Sequence, residues 1–161
     1  MLRKKMSRRM KSINRFTGTY YFLSNFYTAP ITYQGITYLN NEAAFQSMKT
    51  EYRDERKKFS KLSPSDAKKL GRSIPLRRGW ESMKETHMYE INLAKYTQHK
   101  NLKEKLLATD QYYLEEGNHW GDREWGTVDG VGDNKLGKIL MRIRHELSRT
   151  IDDDSSIELL I

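Results

Sequence analysis

Glu42, Gln46 and Lys49 lie four and then three residues apart in the run NNEAAFQSMK, residues 40–49. At 100° per residue they fall within about a 60° arc of one helical face, with Phe45 beside them. A carboxylate and an amine on one face are the groups of proton transfer and nucleophilic attack. The simpler account is that Glu42 complements a helix N-terminus and Lys49 is a solvated surface lysine. Against it stands the preceding segment FLSNFY, residues 22–27. Its aromatics would wall a pocket in front of that helix.

Two further stretches hold candidate groups. EEGNHWGDREWGTVDGVGDNKLG, residues 115–137, contains Gly117, Gly121, Gly126, Gly130, Gly132 and Gly137, together with Trp120, Trp125, Asp122, Glu124, Asp129 and Asp133. Glycine lets backbone approach a ligand closely, and a loop running into a helix near Asn134 would offer N–H groups to an anion. The spacing is neither a Walker loop nor a dinucleotide GxGxxG. LGRSIPLRRGW, residues 70–80, sets Arg72, Arg77 and Arg78 near Trp80. Arginines clasp phosphates and an indole stacks on a base, although surface arginines and a core tryptophan would give the same pattern. His87, His99, His119 and His145 show no metal-ligand spacing, so neither a metal nor a cofactor is expected.

The elements that must position these groups follow from pattern. Aromatic and β-branched residues between Tyr20 and Leu39, with YQGI as a tight turn, predict short strands or a hairpin. Asn40 or Asn41 would cap the helix that follows, which would run to Leu62 either whole or broken. SPSDAKKLG predicts a short helix with Ser63 as N-cap, Pro64 in the first turn and Gly71 as the stop. WESMKETHMYEINLAKYTQH places Met83, Met88, Ile91 and Ala94 on one face. NLKEKLLAT is a further helix, QYYLEE a late strand, and NKLGKILMRIRHELSR a closing helix with Leu136, Ile139, Leu140 and Ile143 inward. The expected fold is a helix-dominated α+β domain with a small antiparallel sheet.

At 161 residues the chain has the size of one domain. It has no cysteine, which excludes thiol nucleophiles and disulfides and fits a soluble cytoplasmic protein; no apolar run approaches a membrane span. The formal charge of +8 is unevenly placed. Residues 1–15 hold Arg3, Lys4, Lys5, Arg8, Arg9, Lys11 and Arg15 and no acid, leaving 22 basic against 21 acidic residues elsewhere. The reading is therefore a basic tail at 1–15, a domain at 16–149 and an acidic tail at 150–161. The basic tail is either a solvated arm or a phosphate contact.

Taken in order, FLSNFY, the Gly35, Tyr38, Glu42, Phe45-Gln46 and Lys49 series, LGRSIPLR with its tryptophan, LEE followed by Asp122 and Trp125-Gly126, and GDNKLGKILMRIR resemble the successive motifs of the NADAR, or YbiA-like, family. The resemblance runs from Phe22 to Arg144. It implies a helix-rich α+β fold and N-glycosidase activity, on ADP-ribose attached to guanine in nucleic acid or on ribosylamino-pyrimidine phosphate intermediates of riboflavin synthesis. Breaking a ribose C1–N bond builds positive charge at C1 and negative charge on the base. On that chemistry Glu42 is the carboxylate beside C1, Lys49 a proton donor or a nucleophile forming an imine, and Asp122 the second acid. Phe22, Ser24, Asn25, Phe26, Gln46, Trp80, Trp125, Gly126 and Asn134 are expected to contact the base or sugar, and Arg72 the phosphate. The chain departs from the family pattern at Gly79, where an Asp usually precedes the tryptophan, at LNNE before the helix, and in the additional Trp120. A non-catalytic nucleic-acid module is the competing class, and the nearly balanced charge after residue 15 argues against it.

Overall fold

A computed structural model describes residues 11–158, with side chains described through Thr150. Five of the basic residues of the N-terminal run (Arg3, Lys4, Lys5, Arg8 and Arg9) lie outside the described residues, as do residues 159–161. A short strand, Ser12–Ile13 (β1), begins the fold, so the first element falls within the stretch read above as tail. It pairs in parallel with Tyr113–Leu114 (β4), in register Ser12↔Tyr113 and Ile13↔Leu114.

The antiparallel sheet is the hairpin of Thr28–Tyr33 (β2) and Ile36–Asn40 (β3). Gln34 and Gly35 both have positive φ, 48° and 79°, the two-residue turn whose twist matches that of the strands. Arg53 donates to both turn carbonyls, at 3.3 and 3.2 Å, which supports the left-handed conformation of a non-glycine residue. Ala29, Ile31, Tyr33, Ile36 and Tyr38 alternate inward into the core. The Tyr-rich stretch before the hairpin is no strand. Gly18–Leu23 forms a 3-10 helix instead, because the Phe22 carbonyl is drawn inward to accept from Lys95 Nζ at 2.5 Å and Tyr96 OH at 3.3 Å. Those tertiary bonds override the β preference of its aromatics.

Asn40 supplies the cap of Asn41–Ser47 (α1), accepting from the Ala43 N–H at 2.8 Å. The helical run does break, with Arg53–Lys57 (α2) as a separate turn. Ser63 caps Pro64–Ser73 (α3) as expected, but the helix passes through Gly71 rather than stopping there. Trp80–Gln98 (α4) packs against α1, β2, Lys100–Ala108 (α5) and Lys135–Glu158 (α6). Its buried face is partly polar: Lys84, Asn92 and Lys95 accompany Trp80, Met88, Ile91 and Tyr96, whereas Met83 and Ala94 are only half-buried. Helix α6 buries Leu136, Leu140, Ile143 and Leu147 and continues beyond Thr150 through the acidic stretch to Glu158. No helix among the described residues is long and apolar enough to cross a membrane.

Candidate active site

The N-terminus of α1 is tied to the aromatic segment by one backbone bond, Glu42 N–H to the Asn25 carbonyl at 3.1 Å. From behind, Lys95 on α4 donates to the Phe22 and Ser24 carbonyls at 2.5 and 3.1 Å. Burial without an acidic partner pushes its amine down to about 7. Asn25 is itself locked, accepting from Asn41 and Asn92 at 3.2 and 3.3 Å. The segment 22–27 is thereby held rigidly against the helix carrying the acid and the amine.

A cavity of about 280 Å³ opens at this junction. Ser24, Asn25 and Phe26 form one wall, and Glu42, Gln46 and Lys49 a second. Trp80 from α4 and Asp122 and Trp125 from the loop before α6 complete the set of expected residues that meet there. Phe45 lies 5.3 Å, centroid to centroid, from both Trp80 and Trp125, so three aromatic rings form a continuous apolar surface. Trp120, at 56 % exposure, stands on the rim.

Four expected contacts lie elsewhere. The Phe22 ring is in the core and only its carbonyl serves the site, as the acceptor of Lys95. Arg72, exposed in the last turn of α3, is not on the cavity wall, although its charge helps to depress the Lys49 amine. Asn134 is 2 % exposed and pins the loop: it donates to Leu114 O at 2.9 Å and accepts from Glu116 N at 3.0 Å. The expected anion cradle beside it does not form, because the N–H groups of residues 133–136 are bonded to carbonyls of Arg123, Gly126, Glu124 and Trp125. Gly126 is buried behind the wall, where a Cβ would come within 2.0 Å of both the Glu116 carbonyl and its Oε2. Gly79 precedes α4 with φ 77° and offers no side-chain cap.

Burial acts on both titrating groups of the α1 face. Burial raises the Glu42 carboxyl above the ordinary glutamate value; Gln46 Nε2, donating to Oε1 at 2.8 Å, and the charges of Lys68 and Lys49 oppose it. Burial lowers Lys49, with Arg72 and Lys68 adding to the effect and Glu42 opposing it. Both members of the pair are thus driven toward their uncharged forms. Asp122 Oδ1 accepts from the Glu124 and Trp125 N–H groups at 3.0 and 2.9 Å, which closes the turn that presents Trp125. Glu124 binds Lys84 at 2.8 Å and Lys135 at 3.1 Å, fastening the same loop to α4 and α6.

Of the wall residues outside the expected set, Glu81, Lys84 and Glu124 are tied in ion pairs and Met88 and Leu136 are apolar, so two further groups stand out. Glu116 follows β4, and its carboxyl is raised to about 7 by burial and then by Asp122. Lys68 lies on α3, one turn before Arg72, 5.7 Å from the Phe26 centroid. The signals were present: Glu116 is the second acid of the LEE motif, and Lys68 shares a helical face with Arg72. No group of three or more His, Asp or Glu side chains among the described residues is arranged to hold a metal.

Gly71 shows how closely the site is built. A Cβ there would lie 2.0 Å from Gln46 Oε1 and 2.7 Å from its Cδ. Gly71→Ala is therefore expected to push Gln46 off Glu42 and lower kcat/KM by roughly tenfold, the worth of one bond to a charged group. The melting temperature should change little, since alanine gains about 1 kcal/mol of helix propensity that offsets the crowding. Unchanged kcat/KM in the folded variant would show that the Gln46–Glu42 bond is idle.

The NADAR domain model matches residues 13–148. The chain belongs to the NADAR family. A NADAR relative, N-glycosidase YbiA of Escherichia coli (strain K12), is 40 % identical over 131 residues, spanning 78 % of this chain and 80 % of that protein. A riboflavin biosynthesis protein of Vibrio vulnificus is 35 % identical over 130 residues, 78 % of this chain but 35 % of the relative. The solution structure of E. coli YbiA superposes with a TM-score of 0.76 at 35 % identity, covering 89 % of this chain and 91 % of that one. The NADAR fold, helix-rich with a small antiparallel sheet, is the one expected from the sequence.

Proposed function

We propose that this N-glycosidase removes ADP-ribose from guanine in nucleic acid by hydrolysing the ribose C1–N bond. The supporting observation is the cavity itself, in which Glu42 and Lys49 lie beside the ring surface of Phe45, Trp80 and Trp125. Such a surface takes a flat base, while a carboxyl whose charge is penalised by burial gains most when a cationic sugar forms next to it. Lys49, driven toward its neutral amine, can add to C1 as a nucleophile. At about 280 Å³ the cavity suits one nucleoside-sized part of a substrate, and larger substituents would leave past Lys68 and Trp120 on the rim. The second reading, a ribosylamino-pyrimidine phosphate, is favoured by the name of the Vibrio relative.

Incubation of the protein with guanine-ADP-ribosylated DNA or RNA, beside the pyrimidine intermediate, separates the two by mass spectrometry of the released base or ADP-ribose. On a polymer, deleting residues 1–10 is expected to raise KM and to flatten its salt dependence, leaving kcat unchanged. Each phosphate that the shortened chain no longer neutralises should take roughly 0.7 off the log–log slope. The deletion stops there because Lys11 O accepts from Tyr113 N–H and Ser12 belongs to β1. Release from the pyrimidine substrate alone, or an unaltered salt slope, would favour the small metabolite.

A further inference from the structure

We propose that Glu116, rather than Asp122, is the acid that protonates the departing base. This assignment rests on the N-ribosyl hydrolysis proposed above. Five carboxyl groups line the cavity; Glu81 and Glu124 are paired with Lys84, which leaves Glu42, Glu116 and Asp122, and close carboxylates do not all ionise together. Asp122 is committed as an acceptor, with two backbone N–H groups on its Oδ1. Those two bonds hold the Asp122 carboxyl in the turn that presents Trp125 and direct its Oδ1 at the backbone. Glu116 receives only a long contact from Asn118 Nδ2, at 3.4 Å to Oε2. It is the least hydrogen-bonded carboxyl of the three, which makes it the one that holds a proton.

Its position is fixed by the loop. The backbone at Gly126 packs so closely on Glu116 Oε2 that no larger residue fits, and Asn134 holds the Glu116 N–H. The charged groups acting on it are Glu42 from α1, Lys68 from α3 and Asp122 from its own loop, with Lys84 of α4 also on the wall beside its partner Glu124. The raised pKa of about 7 agrees with this arrangement. In the reaction the C1–N bond breaks with both electrons moving to the base nitrogen, which takes the proton of Glu116. Water then adds to C1, either at once or to release the sugar from Lys49 where that amine has bonded to C1, and the proton it loses returns to the Glu116 carboxylate, restoring the acid.

The test uses the full chain and two N-ribosyl substrates of its accepted class, one with a basic and one with an electron-poor leaving base. For wild type, kcat/KM should fall as pH rises through about 7, since the acid form is lost. Glu116→Gln is expected to lose on the order of 10²-fold on the basic leaving group, to show no fall above neutrality, and to recover to within a few-fold on the electron-poor one. Equal losses on both bases with the alkaline fall intact would overturn the assignment. If Glu116→Gln is unfolded by circular dichroism, Glu116→Asp takes its place: a retained alkaline fall supports the assignment and its disappearance in folded protein overturns it. Failure of wild type to release either base would instead refute the hydrolysis reading.

Discussion

Glu42→Gln is expected to lower kcat by on the order of 10²-fold or more while the protein stays folded. The substitution keeps the size of a side chain that is 7 % exposed and removes the charge that would face the developing sugar cation. Its effect on stability has a definite sign. Burial raises the folded-state pKa of Glu42 above the unfolded value, so ionising it costs stability once the pH exceeds the unfolded pKa. A neutral amide carries no such cost. At pH 7 the variant should therefore melt no lower than wild type, while at a pH below the unfolded value, where both forms are protonated, the difference should vanish. Wild-type turnover in Glu42→Gln would remove Glu42 from the chemistry. Lost turnover with a large fall in melting temperature would make it a structural residue.

Lys49→Arg should cost on the order of 10³-fold in kcat if the amine attacks C1, because arginine keeps the charge but has no free amine to form the bond. With wild type, cyanoborohydride added during turnover is expected to leave a reduced sugar adduct on Lys49, found by peptide mass spectrometry. The yield should rise with pH through a value below the ordinary lysine range, since burial and the charges of Arg72 and Lys68 favour the neutral amine. Lys68→Arg serves as the comparison: it preserves the neighbouring charge and should still give the Lys49 adduct. Full activity in Lys49→Arg with no adduct in wild type would reduce Lys49 to electrostatic support.

Much of the site was legible in local pattern. The 3.6-residue period placed Glu42, Gln46 and Lys49 on one wall, the cap at Asn40 is ordinary helix chemistry, and the turn at Gln34-Gly35 is a short-range signal. These features depend on residues a few positions apart, whose geometry the backbone itself imposes. The motif order that marks a NADAR protein is likewise a property of the chain.

Long-range bonds decided the rest. Lys84, Asn92 and Lys95 look like solvated helix positions, yet all three are buried because their partners come from distant segments: Glu124, Asn41, and the Phe22 and Ser24 carbonyls. The 3-10 turn at Gly18–Leu23 exists for the same reason. Arg72 and Asn134 carry suitable chemistry, but one is turned to solvent and the other is consumed in bracing β4. Glu116 and Asp122 are both acids in one glycine-rich loop, indistinguishable by residue type. Folding gave two backbone N–H groups to Asp122 and left Glu116 half-buried with one long contact from Asn118, and that difference in hydrogen bonding is what the proposed proton donor rests on.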